Sequence, residues 1–166
     1  MLIREAKKNE FYLLQEQRLS SYQPYKKVIP PEHWEMLKSN LASPNDQQSG
    51  VEVFVAEIDG HIAGSVVLFP AESIAYEWDA TTLEYPEIRL LAVSEDFRSR
   101  GVGKALVEHC IDISKIRRQK FIGLHTGSFM ENAIALYEKM GFQRVDSLDF
   151  TPLDDGVVIK AFRLDF

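Results

Sequence analysis

The stretch FRSRGVGKAL, residues 97–106, sets Arg98, Arg100 and Lys104 around Gly101 and Gly103. The apolar run PEIRLLAV precedes it and a helical apolar pattern follows. A strand that passes through a glycine turn into a helix makes an anion site. The first N–H groups of the helix have no partners inside it, and its dipole is positive there. Glycine lets the backbone approach the anion with no Cβ in the way, and the basic side chains add neutralising charge. Phosphate is the natural occupant. A P-loop is excluded, because Arg98 stands where that motif has its first glycine and Ala105 where it has Ser or Thr. A dinucleotide fingerprint fails at Leu106, where a third glycine is required.

Other reactive residue types are sparse. His33, His61, His109 and His125 are widely spaced and lack metal-ligand spacing, so no metal is expected. Cys110, the lone cysteine, falls mid-helix on an apolar stripe and reads as an inert core thiol. Residues 70–85, PAESIAYEWDATTLEY, interleave Glu72, Glu77, Asp79 and Glu84 with Tyr76, Trp78 and Tyr85. Such a segment receives an amine through charge and cation–π contact, or serves equally as an exposed cover or a dimer contact.

The elements that must position these residues follow from periodicity. LIREA reads as a short strand, and residues 9–22 as a helix with Phe11, Leu14, Arg18 and Leu19 at helical intervals and Asn9 as its cap. A second helix begins at PPEHWEML and ends before Pro44. VEVFVAEIDGHIAGSVVLF is a hairpin turning at Asp59-Gly60. Residues 70–85 have no clean period and read as a long connection. PEIRLLAV is a strand covered on both faces, and a helix of about five turns follows with Val102, Ala105, Leu106, Cys110, Ile113 and Ile116 on one stripe. KFIGLHT is a further strand. ENAIALYEKMGF is a helix with Ala133, Leu136, Tyr137 and Met140 on one face and Gly141 as its stop. Strands near 142–150 and 156–165 complete the sheet. The expected fold is mixed α/β: a mixed sheet with helices on both faces, in one domain over residues 1–166.

Three stretches resemble the GNAT superfamily of acyl-coenzyme A-dependent N-acetyltransferases. RLLAVSEDFRSRGVGKAL is similar to that family's central strand, turn and helix, with Arg98, Gly101 and Gly103 as its Arg-x-x-Gly-x-Gly. ENAIALYEKMGFQRV resembles its downstream helix, and VAEIDGHIAGSVVLF, with Gly64, its upstream hairpin. The resemblance implies a mostly antiparallel sheet of about six to seven strands, splayed at the central strand. It implies that the loop, Arg98, Ser99, Arg100, Gly101, Val102, Gly103 and Lys104, cradles the coenzyme A pyrophosphate. The main chain of Leu91, Ala92 and Val93 would bind the pantetheine arm as an added strand, and Asn132 would cap its helix, bond the cofactor, or both. Tyr137 would protonate the departing thiolate. Glu87 would accept the amine proton, directly or through water, with Glu84 in reserve, although Glu87 reads equally as a solvated strand end. The N–H of Leu91 or Ala92 would hold the oxyanion. Tyr22 and Tyr25, with Pro24, would form the acceptor wall opposite Tyr76, Trp78 and Glu84.

The implied activity is acetyl transfer from acetyl-coenzyme A to an amine, in a ternary complex and without metal. A small cationic amine is favoured narrowly over a protein lysine or N-terminus. A non-catalytic acyl-coenzyme A sensor and a transferase for longer acyl groups are the alternatives. Members of that family often form homodimers, although no residue here requires one. The formal net charge of −6 gives no basic face for nucleic acid. No run has the length or apolarity of a signal peptide or a bilayer span, so a cytoplasmic protein is expected.

Overall fold

The computed structural model describes residues 1–72, 74–76, 79–82 and 84–166, and of 74–76 and 79–82 the backbone. In chain order the strands are β1 (Leu2–Glu5), β2 (Glu52–Ile58), β3 (His61–Phe69), β4 (Ile74–Tyr76), β5 (Asp79–Thr82), β6 (Glu87–Val93), β7 (Phe121–Gly127), β8 (Gln143–Arg144) and β9 (Ile159–Asp165). The helices are α1 (Phe11–Tyr22), α2 (Pro31–Leu41), α3 (Val102–Ile116) and α4 (Glu131–Lys139). Seven strands form one sheet in the order β1-β2-β3-β6-β7-β9-β8, and β4 pairs with β5. Within the seven-stranded sheet only β6 and β7 run parallel, because α3 supplies the long crossover that a parallel pair needs. The mixed, mostly antiparallel sheet with helices matches the expected fold class.

Alternation in β2 and β3 shows why both faces need helices. Phe54, Ala56, Val66 and Leu68 enter one core with Val102, Leu106, Val107 and Cys110 of α3. Val53, Val55, Val67 and Phe69 point the other way, against Leu14 of α1. The turn between these strands places Asp59 at φ 50° and Gly60 at φ 79°, the two left-handed residues that a tight hairpin demands. Arg18 of α1 is fully buried and pairs with buried Asp46 at 2.6 Å.

Several local expectations change. The buried arc of α3 is rotated toward Val107, Ile111 and Ser114, and this turns Ile116 outward to 80% exposure. Asn9 lies inside a short 3-10 turn, Lys8–Glu10, and Glu10 occupies the position before α1. Residues 70–85 contain the β4–β5 pair instead of an unpaired connection. The strand near 142–150 shrinks to β8, a turn and a single bridge from Phe150 to Ile159.

The feature that positions the site is the way β6 leaves its neighbours. Against β3, Ser65 faces Ala92 and Val67 faces Arg89, so β6 carries one residue more than its partner across Leu90 and Leu91. Leu90 sits at φ 53°, which makes this a β-bulge. Against β7, pairing spans Glu87 and Ile88, so the ladder stops where the bulge begins. Gly64 belongs to the same device: a Cβ there would stand 2.6 Å from the Ala92 carbonyl oxygen.

Candidate active site

Where β6 parts from β7, an outer cleft of about 800 Å³ opens between the end of α1, the β6–α3 loop and α4. The loop enters α3 through Gly101 at φ 78°, with Ser99 also left-handed at φ 60°. The first bond of the helical ladder runs from Ala105 N–H to the Gly101 carbonyl at 3.0 Å. The N–H groups of Val102, Gly103 and Lys104 therefore precede the ladder, and all three residues line the cleft. A Cβ on Gly103 would meet Leu136, Val93 and Leu91 at 3.6–3.9 Å, ordinary contact distances, so packing does not require the glycine. Those three residues are cleft walls, and what a Cβ would occupy is cleft space. Arg98 and Lys104 bring positive charge to the same opening. A diphosphate fits this set of amides, charges and space.

The exposed edge of β6 continues the cleft inward. Ser94 N–H bonds the Ala63 carbonyl at 2.9 Å, so by alternation Ala92 spends its main-chain groups on Ser65 of β3. Those of Leu91 and Val93 turn the other way. Ala92 also lines the cleft, but in this register its main-chain groups face Ser65. The Leu91 carbonyl accepts from the Tyr22 hydroxyl at 3.0 Å and the Val93 carbonyl from the Ser21 hydroxyl at 3.1 Å. The end of α1 is thereby fastened along this edge.

A second, inner cavity of about 130 Å³ lies beyond the bulge. Tyr22, Leu91, Met130 and Tyr137 line both spaces and form their junction. Tyr137 is buried, and that burial pushes its hydroxyl well above the ordinary tyrosine value, with Tyr22 and Tyr25 adding to the effect. It remains protonated throughout the neutral range.

Glu87 is only 2% exposed and lines neither space. Its Oε1 is 2.8 Å from His125 Nδ1, and its Oε2 accepts from Arg89 at 3.4 Å. Arg89 and His125 do line the inner cavity, so Glu87 stands behind both. Burial alone would raise the Glu87 carboxyl, but the bond to His125 and the charge of Arg89 outweigh it and hold it below the ordinary range. Burial lowers the His125 imidazole, and its bond to Glu87 more than reverses this, for a net rise. A second histidine, His33 of α2, reaches the cavity with Nδ1 2.8 Å from Asp155 Oδ2.

The other expected residues distribute unevenly. Asn132 lines the outer cleft from one position inside α4, and Met130 holds the cap position, so Asn132 is not the cap. Arg100 is outside the cleft, over the Phe97 ring at 5.3 Å. Tyr25 lines the outer cleft alone, edge-on to Tyr22 and Phe129. Glu84 is exposed and lines neither space. Trp78 lies outside the described residues, as does the side chain of Tyr76. Cys110 is fully buried and its thiol is pushed up to about 12 by desolvation, which makes it inert. Among the described residues no group of three or more His, Cys, Asp or Glu could hold a metal ion. Among them, too, no helix is long and apolar enough to cross a membrane. Sequence reasoning missed His33, Arg89 and His125 as site residues. The one available signal was the run of charged and apolar letters in EIRLLAV, whose odd positions carry Glu87 and Arg89 to one face.

A splayed sheet with an amide-lined cleft beside a buried tyrosine defines an acyltransferase fold. The profile of the acetyltransferase (GNAT) family matches residues 11–142, and the chain belongs to that family. It is 32% identical over 90 residues to an uncharacterised N-acetyltransferase of Methanocaldococcus jannaschii, covering 54% of this chain and 38% of that protein. With N-acetyltransferase 8 of Rattus norvegicus it shares 28% identity over 135 residues, 81% of this chain and 58% of that one. The chain thus spans less than two thirds of the length of either relative. In fold it resembles a ribosomal-protein-alanine N-acetyltransferase from Brucella melitensis, with a TM-score of 0.67 at 16% identity over 100% of both chains. A GNAT acetyltransferase from Staphylococcus aureus superposes with a TM-score of 0.70 at 17% identity, covering 99% and 98%.

Proposed function

We propose that the protein moves an acetyl group from acetyl-coenzyme A to a primary amine by direct attack within a ternary complex. The observation that carries this reading is the meeting of the outer cleft and the inner cavity at Tyr137. One space suits a long ligand with a diphosphate, the other a compact acceptor, and a buried proton donor stands between them.

In this reading the amides of Val102, Gly103 and Lys104, with Arg98, hold the diphosphate. Main-chain groups of Leu91 and Val93 align the pantetheine arm. The Leu91 N–H, on the free side of the strand, is the oxyanion donor. The neutral amine attacks the thioester carbon. A C–N bond forms, the C–S bond breaks, the nitrogen loses a proton and the thiolate gains one. A thiol has a reference pKa of about 8.5, far below the raised value of Tyr137, so outright donation by the phenol is uphill. Tyr137 therefore passes its proton to sulfur as the nitrogen's proton reaches its oxygen. Glu87 acts through its partners here, holding Arg89 and His125 in place instead of meeting the amine. The free thiol of Cys110 suits a reducing compartment, and the cytoplasm is the proposed location.

Thiol release from acetyl-coenzyme A across a panel of amines tests the reading, with the Tyr137→Phe variant as control. Amine-dependent release that the variant loses supports it. Tight binding of acetyl-coenzyme A with no release on any amine would overturn it in favour of an acyl-coenzyme A sensor.

A further inference from the structure

If the free edge of β6 receives the pantetheine arm, as that reading holds, its carbonyls are already in use. Leu91 and Val93 are two residues apart and turn their main-chain groups away from β3, so both carbonyls face the same way. A neighbouring strand would meet them with main-chain N–H groups. Hydroxyls stand there instead, and they come from the last two residues of α1. Tyr22 donates to the Leu91 carbonyl at 3.0 Å and Ser21 to the Val93 carbonyl at 3.1 Å. Both residues line the outer cleft, so they reach the strand from the side on which an arm would lie.

The Tyr22 ring is buried and packs edge-on to Tyr25 at 5.9 Å between centroids, which fixes its hydroxyl on Leu91. Burial also pushes that hydroxyl above the ordinary tyrosine value, so it remains a donor across the neutral range. Ser21 is half-buried, and its own carbonyl accepts from Arg98 Nη2 at 3.3 Å. The glycine turn is thus tied to the end of α1 as well, but through main chain that a side-chain substitution at Ser21 does not remove. A diphosphate on the turn and an arm on the edge make separate demands. The first meets the amides of α3 and Arg98; the second meets carbonyls that two hydroxyls hold at full hydrogen-bond length, the distance at which an amide nitrogen of the arm would itself stand. Two donors that approach one oxygen from the same side of a cleft exclude each other by size.

We propose that Tyr22 and Ser21 select for the arm: their hydroxyls hold the β6 edge and are exchanged for the two amide N–H groups of pantetheine when acyl-coenzyme A enters. The number of hydrogen bonds to the edge is conserved in the exchange. A ligand with a diphosphate and no such amides occupies the glycine turn and leaves the hydroxyls in place. The edge therefore opens only to a molecule that brings donors for both carbonyls. Once released, the Tyr22 hydroxyl is at the junction of the cleft and the inner cavity, which Tyr137 also lines.

Calorimetry with coenzyme A tests the exchange, with ADP as the ligand that keeps the diphosphate and lacks the arm. The affinity for ADP is read by displacement of coenzyme A. Removing a hydroxyl removes a competitor, so Tyr22→Phe and Ser21→Ala should each bind coenzyme A about two- to tenfold tighter than the unaltered protein, the net worth of one hydrogen bond. The double variant should gain more than either, and the affinity for ADP should stay the same in all three. Unchanged or weaker binding of coenzyme A by one variant removes that residue from the role; by both, it overturns the proposal, since the hydroxyls then persist beside the arm. An equal gain for ADP also overturns it, because the effect would then lie at the glycine turn. Ser21→Ala alters a half-buried side chain and decides the matter alone if Tyr22→Phe does not fold. Coenzyme A binding no tighter than ADP to the unaltered protein would instead overturn the pairing of the arm with β6, and with it the reading on which the exchange rests.

Discussion

The outer cleft and the inner cavity are built by different means. The cleft's recognition surface is main chain, drawn from residues 91–104 in one continuous strand, loop and helix start. The cavity's is side chain, with partners 38 residues apart in Glu87–His125 and 122 apart in His33–Asp155. A surface made of amides survives changes of side chain but not of backbone geometry, and in the proposed function it meets what every acyl-coenzyme A has in common. A surface made of converging side chains changes with single substitutions. One half can therefore stay constant while the other is retuned for a different acceptor.

The residue shared by both regions should give the largest effect. Tyr137→Phe is expected to slow acetyl transfer by about 10²- to 10³-fold while leaving calorimetric affinity for acetyl-coenzyme A unchanged. A matching fall in affinity would break the division between binding and chemistry. Next in size, Glu87→Gln removes the anion between two cations, and a buried pair broken on one side costs about 3 kcal/mol. Urea denaturation should record that loss, and the folded fraction should still bind acetyl-coenzyme A. If affinity fell with stability, the two regions would not be independent.

Gly103→Ala sharpens the comparison from the other side. Its Cβ meets nothing nearer than 3.6 Å, so the melting temperature should hold. Affinity for acetyl-coenzyme A should drop about tenfold, because the methyl group intrudes where the diphosphate meets the amides. The smallest effect is on pH dependence. The raised pKa of His125 means that its contribution is complete below the free imidazole value and is lost as pH rises through the raised one. Glu87, with its lowered pKa, contributes above the ordinary carboxylate range and ceases to as pH falls through its lowered value. Urea midpoints should therefore decline on both sides of a plateau spanning mildly acid to near-neutral pH, and Glu87→Gln should flatten the alkaline decline.

The same division explains which residues could be read without coordinates. The strand, the glycine turn and the amphipathic α3 are local patterns, and Asp59-Gly60 is a local turn, so each followed from neighbouring letters. Tyr137 was singled out by the family resemblance, its letters alone placing it only on the apolar face of α4, and the structure puts it where the two spaces meet. Arg100 could not be separated from Arg98, since both are exposed-loop arginines and only the course of the turn sends one over Phe97. Ala92 looked equivalent to Leu91 until the register turned its amide toward Ser65. His33 and His125 gave no signal, because each is a lone polar letter with a partner distant in the chain, whereas Arg89 shares a strand face with Glu87 two residues before it.

Backbone-encoded features were thus present in the amino-acid order alone: the hairpin, the strand–helix–strand order around α3 and the glycine turn at its start. Their determinants are φ preferences and apolar periods that act over a few residues. Folding in three dimensions decided the bulge at Leu90, the orientation of each amide beyond it and the company kept by Glu87. Those depend on register between strands and on charges from remote segments sharing one low-dielectric space, where a carboxylate's neighbours govern whether it meets substrate or stands behind the residues that do.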